Sequence, residues 1–97
     1  MIMKALPSFI ELGGHVITIE QEPLEDVYGY FEYEKLRIVI DSTSQPSLQW
    51  ETLFHEIIEA INALGEYELE HFVIQQLGVW MHQAVFSMAT IEPEPLQ

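Results

Sequence analysis

The sequence predicts an α+β domain in which a small antiparallel sheet of about three strands is followed by two antiparallel helices. Two observations carry this. Residues 8 to 41 hold short β-branched and aromatic runs that alternate with period two. Residues 46 to 88 repeat their apolar positions at helical spacing, broken once near Gly65. At 97 residues the chain suffices for one domain with one modest core, expected over about 8 to 88 with a frayed, Pro-rich tail at 89 to 97.

HVITIE (15–20) is the first expected strand, and YGYFEYE (28–34) the second. KLRIVID (35–41) is the third, with Leu36, Ile38 and Ile40 on one face and Lys35, Arg37, Val39 and Asp41 on the other. A turn near Glu34–Lys35 joins the last two as a hairpin. Gly13–Gly14 and EPLED read as connections. After the loop STSQPS, Pro46 suits the first turn of a helix, where its missing N–H costs nothing. That helix is expected to reach Leu64 and stop at Gly65. The second is expected from Glu68 to Met88.

Composition narrows the function. Apolar residues make up 48% of the chain, enough to fold. There is no cysteine, so disulfides, thiolate metal sites and cysteine nucleophiles are excluded. Sixteen acidic residues stand against Lys4, Lys35 and Arg37, for a net charge of -13. That argues against nucleic acid as a partner, because few cations are present to displace counterions from phosphates. MIMKALPSFIEL lacks the form of a secretory signal, and no run approaches the length of a membrane span. A soluble, cytoplasmic protein with no membrane partner is the resulting expectation.

The chemistry lies in HEIIEA, residues 55 to 60. At about 100° per residue, Trp50, Leu53, Phe54, Ile57, Ile58, Ile61 and Leu64 form the apolar face of the first helix. Glu51, Thr52, His55, Glu56, Glu59 and Asn62 form the polar face. His55 and Glu59, four apart, sit one above the other, about 5.4 Å along the axis. The second helix is apolar nearly all round, which predicts burial on most sides. It nevertheless carries a polar stripe of His71, Gln75, Gly78 and His82, which calls for a polar partner. The polar face of the first helix is that partner, because helices joined by a short turn pack antiparallel.

His55, Glu59 and His71 then form a two-histidine, one-carboxylate set suited to Zn2+. Three protein ligands leave a fourth position for water, whose pKa zinc lowers to about 7. Glu56 projects from the same face and suits a general base that passes the proton to a leaving amine. His82 lies roughly 16 Å beyond His71 along the helix, too far to share an ion with it. A partly buried role beside a carboxylate fits His82, and a surface position fits His15. Glu51, Asn62, Glu66 and Glu70 are equivalent candidates to support the ligands. Phe72, Val79 and Phe86 line one side of the second helix, either as core against the sheet or as a homodimer contact.

The stretch GYFEYEKLRIVIDS…WETLFHEIIEAINALGEYELEHFVIQQLGVWMHQAVF resembles small zincin-like proteins of phages and prophages, which are minimal, gluzincin-like metallopeptidases. That family places a hairpin, a helix with H-E-x-x-H, and a second helix with an acidic third ligand near its start. The resemblance covers about residues 28 to 88. It implies a zincin-like fold, a zinc cofactor and a peptide or protein substrate. Glu59 stands where the family has its second histidine, and His71 about where it has the acidic ligand. The exchange preserves both the ligand count and the ligand types. Two alternatives stand beside a peptidase. One is a non-catalytic zinc protein whose ion pins the helices together. The other is a metal-free acidic module that binds a cationic groove on another protein.

Overall fold

The computed structural model describes residues 5–90. Its elements run β1 (Phe9–Leu12), β2 (His15–Glu22), β3 (Gly29–Glu32), β4 (Arg37–Asp41), α1 (Pro46–Gly65) and α2 (His71–Thr90). The α+β class is as expected. The expected tail lies outside the described residues, except that 89 and 90 continue α2.

The sheet departs from the expectation in two ways. It has four strands, and it is mixed, in the order β1-β2-β4-β3. The additional strand, β1, pairs antiparallel with β2 from Phe9↔Thr18 to Leu12↔His15. Gly13 and Gly14, at φ 57° and 85°, form the two-residue turn between them, which requires positive φ at both positions. β4 does pair with β3 as an antiparallel hairpin, but it then slots beside β2 in parallel, from Thr18↔Arg37 to Glu22↔Asp41. The six-residue link between β2 and β3 lets β3 take the outer edge, and β4 fills the space between. Ile38, Val39 and Ile40 are all fully buried, as befits a strand covered on both faces.

Ile17, Ile19, Ile38 and Ile40 meet Leu53 of α1 in the core, with Trp50, Ile57 and Leu64 packed around them. α1 also lies low over β3, at Gly29. A Cβ there would come within 2.7 Å of the Thr52 Cγ2 and 2.8 Å of the Val39 carbonyl oxygen, so only glycine permits this approach. The contact brings the Thr52–Glu56 side of α1 against the edge strand.

Polar side chains tie the sheet to α1. Asp41 Oδ1 accepts from the Leu24 N–H at 3.0 Å, the Thr43 N–H at 3.1 Å and the Thr43 hydroxyl at 2.8 Å. These bonds, the Leu24 N–H foremost, hold its carboxyl below its ordinary pKa. Pro46 opens α1 as expected. Gln49 donates to the Ser44 carbonyl at 2.8 Å and accepts from Gln21 at 2.6 Å.

The C-terminal end of α1 differs by one residue from the expected stop. Gly65 is the last helical residue, and Glu66 takes the left-handed conformation at φ 54°. The Glu66 N–H reaches the Ala63 carbonyl and the Tyr67 N–H the Asn62 carbonyl, a Schellman closure without glycine at its left-handed position. α2 begins three residues later than expected, with the Ile74 N–H bonded to the Glu70 carbonyl.

α2 packs on α1, antiparallel as expected, but it is not buried on most sides. Ile74, 2% exposed, and Gly78 face inward. Phe72, Val73, Leu77, Trp80, Met81 and Met88 remain in solvent. The side predicted from Phe72, Val79 and Phe86 is divided. Phe86 packs edge-on to Trp50, with centroids 5.3 Å apart, while Phe72 is exposed. Among the described residues no helix is long and apolar enough to cross a membrane.

Candidate metal centre

α1 supplies two of the expected ligands from successive turns, and α2 supplies the third from its first residue. The chain between the helices is held where it matters. The Asn62 side-chain oxygen accepts the Leu69 N–H at 2.8 Å, and this bond fixes the approach to His71. Asn62 therefore positions the segment that carries a ligand. The other three support candidates act differently: Glu51 pairs with His82, Glu66 turns the chain, and the Glu70 carbonyl starts α2.

Glu59 is the hub. Its Oε2 lies 3.3 Å from His55 Nε2 and 3.4 Å from His71 Nδ1. One donor atom from each of the three residues lies within 4.8 Å of the others. The imidazole rings stand edge-on, with centroids 5.4 Å apart. Two distances decide what this spacing suits. Bonds of about 2.1 Å at tetrahedral angles separate neighbouring donors by about 3.4 Å. A direct charge-assisted hydrogen bond would close to about 2.7–2.9 Å. The two separations from Glu59 match the first, and with the third pair of donors within 4.8 Å the set can reach a shared cation. His55 and Glu59 are partly covered, while the His71 side chain is 73% exposed. The site is thus walled by α1 and open on the side of α2.

Glu56 is in a different environment from its neighbours. It is 8% exposed, and burial, with the Glu59 charge as a second cause, pushes its carboxyl up to about 7. It lines two adjoining hollows. One, of about 440 Å³, lies towards Tyr28, Thr52 and Gln75. The other, of about 550 Å³, lies towards Tyr30, Phe31 and Asn62. His55, His71 and Gly29 of the edge strand line both.

No protein-family model, curated protein or solved structure matches the chain. The functional reading therefore rests on the residues themselves.

His82 and His15 are apart from the triad, as expected. His82 Nδ1 is 3.7 Å from Glu51 Oε1, and its ring packs against Phe54 and Phe86. His15 is exposed at the start of β2. Sequence reasoning missed the structural roles of Gly29 and Gly78. A Cβ on Gly78 would lie 3.1 Å from the His55 Cα. A glycine in a helix interior was the available signal, because it costs helix stability and needs a packing reason.

Proposed function

We propose that this chain is a zinc-dependent hydrolase, and specifically a minimal metallopeptidase of the zincin type. His55, Glu59 and His71 are its ligands and Glu56 its general base. The observation that carries the reading is the convergence of two histidine nitrogens on one Glu59 oxygen, at 3.3 and 3.4 Å, beside a buried carboxyl. Two imidazoles and a carboxylate favour zinc over calcium or magnesium.

Zinc held there would polarise a scissile carbonyl and a water. The chain's own groups supply the remaining work. Glu56, with a pKa near 7, can take a proton from water and return it to a leaving amine at the same oxygen. Among the described residues β3 is the edge strand next to the triad, and its outer side can pair with an extended substrate segment. The hollows on either side of Glu56 would then receive side chains from each side of the cleaved bond.

A second reading also has an observation in its favour. An ion on this triad bridges α1 and α2, and α2 has only one buried face. In a chain without disulfides such an ion would hold α2 in place even without catalysis.

The test is elemental analysis of the purified protein, followed by a peptide-cleavage assay of the wild type and Glu56→Gln. About one zinc per chain, with cleavage abolished in Glu56→Gln, supports the hydrolase. Stoichiometric zinc without cleavage supports the bridging role. No stoichiometric zinc after reconstitution ends both.

A further inference from the structure

α2 is unlike the rest of the chain. Residues 71–90 contain none of its 16 acidic or 3 basic residues. Beside the face that meets α1, Val73, Leu77, Trp80, Met81, Ala84 and Met88 all lie exposed. At about 100° per residue they form one stripe roughly 100° wide, running about 22 Å along the helix. The stripe leaves on the order of 500 Å² of mainly apolar surface in solvent, towards the upper end of the roughly 300–600 Å² that the largest patch on a monomer reaches. With neighbouring Leu69, Gln76 and Ser87 it approaches the roughly 800 Å² that each partner contributes to a standard interface.

The order of residues in the stripe indicates what covers it. In an antiparallel pair of identical helices, facing positions have a constant sum. Val73 with Met88, Leu77 with Ala84, and Trp80 with Met81 all share one sum. A two-fold axis between Trp80 and Met81 thus places every residue of the stripe opposite another member of it. Each large side chain near the axis meets a flexible one, and Leu77 meets the small Ala84. Such self-complementarity is what an isologous interface requires. The absence of charge removes the local obstacle that two chains of charge -13 would otherwise meet. An interfacial membrane helix would instead carry Lys or Arg on its flanks. The solvent-side flank here is Gln76, Gln83 and Ser87.

We propose that the chain forms a two-fold homodimer through antiparallel packing of α2 on α2, with the axis between Trp80 and Met81. The contact leaves His71 and the face towards α1 untouched, so it is independent of the metal reading.

The chain has no cysteine, which makes the register directly testable. Light scattering should give twice the 11.3 kDa chain mass at micromolar concentration. Trp80→Glu should raise the dissociation constant at least about 100-fold, as loss of a central aromatic anchor does. Because Trp80 is 65% exposed, the monomer should keep its helical circular dichroism. Leu77→Cys mixed with Ala84→Cys should cross-link through a short bis-maleimide, and Leu77→Cys alone should not. A wild-type monomer would overturn the proposal, whether it stays free or is taken up by phosphatidylcholine vesicles. So would a dimer unaffected by Trp80→Glu, or one in which Leu77→Cys cross-links to itself at least as well as to Ala84→Cys.

Discussion

Gly78 of α2 and His55 of α1 touch backbone to backbone. A Cβ on Gly78 would lie 3.1 Å from the His55 Cα and 3.2 Å from its amide nitrogen. The helices therefore approach closely at a metal-ligand position, with His71 two turns away on α2.

Gly78→Val should force α2 outward at this point. Valine has a better helix propensity than glycine, by a few tenths of a kcal/mol, but a backbone atom at 3.1 Å cannot move aside as a side chain can. The expected result is a loss of at least tenfold in zinc affinity with helix content kept. Titration against a competing zinc chelator measures it, and unchanged affinity would show that the approach does not position the ligands.

His71→Ala should remove stoichiometric zinc, while His82→Ala should retain it. Both histidines lie beside a carboxylate, at 3.4 Å and 3.7 Å, but only His71 shares its carboxylate with a second imidazole. Elemental analysis of the two variants decides this. Equal zinc contents would contradict the assignment.

The Glu56 carboxyl gives the metal-free protein a definite pH dependence. Its folded pKa, about 7, is above its ordinary 4.5, so between these values the folded chain keeps a proton that the unfolded chain releases. Stability therefore falls as pH rises from about 4.5 to 7 and is level in this term above 7. At about 1.4 kcal/mol per unit the full effect is on the order of 3 kcal/mol. Denaturant melts in chelator should show this slope, and Glu56→Gln should flatten it. The amide needs no ionisation, so the same variant should be the more stable form at pH 8. A slope that persists in Glu56→Gln would assign it to another group.

Asp41 acts in the opposite sense. Its carboxylate is stabilised by the Leu24 N–H and by both donors of Thr43, and its pKa is lowered. Its contribution is present above the ordinary carboxylate range and is lost as pH falls through the lowered value. Asp41→Ala should lower the denaturation midpoint at neutral pH and lose less on acidification than the wild type. Equal acid sensitivity in the two would refute this role.

Glu66→Gly should stabilise the fold. Glu66 holds φ 54° in the turn after α1, a conformation that costs a residue with a Cβ about 1–2 kcal/mol. Part of the gain is offset by the greater freedom of glycine in the unfolded chain. A net gain of about 0.5–1 kcal/mol is expected in thermal or denaturant melts, and a loss would mean that the Glu66 side chain makes a contribution of its own.

The local features of this protein were legible in the sequence. Alternation over 15–20 and 35–41 marked strands, Pro46 marked the start of α1, and four-residue spacing put His55 and Glu59 on one face. Each of these depends on neighbours within a turn or a pleat, so sequence spacing is enough. The polar stripe on α2 extended this to His71, because a short connection leaves two helices little choice but to pack as neighbours.

Tertiary structure alone decided the rest. β4 lies between β2 and β3, since apolar burial on both of its faces outweighs simple hairpin succession, and alternation does not encode strand order. Glu56 is buried because Gly29 lets α1 sink onto the edge strand, through a contact with Thr52, 23 positions away. The outer face of α2 is exposed because the sheet is already covered by α1. An apolar sequence reports that a surface favours burial, and only packing shows whether the rest of the same chain is there to bury it.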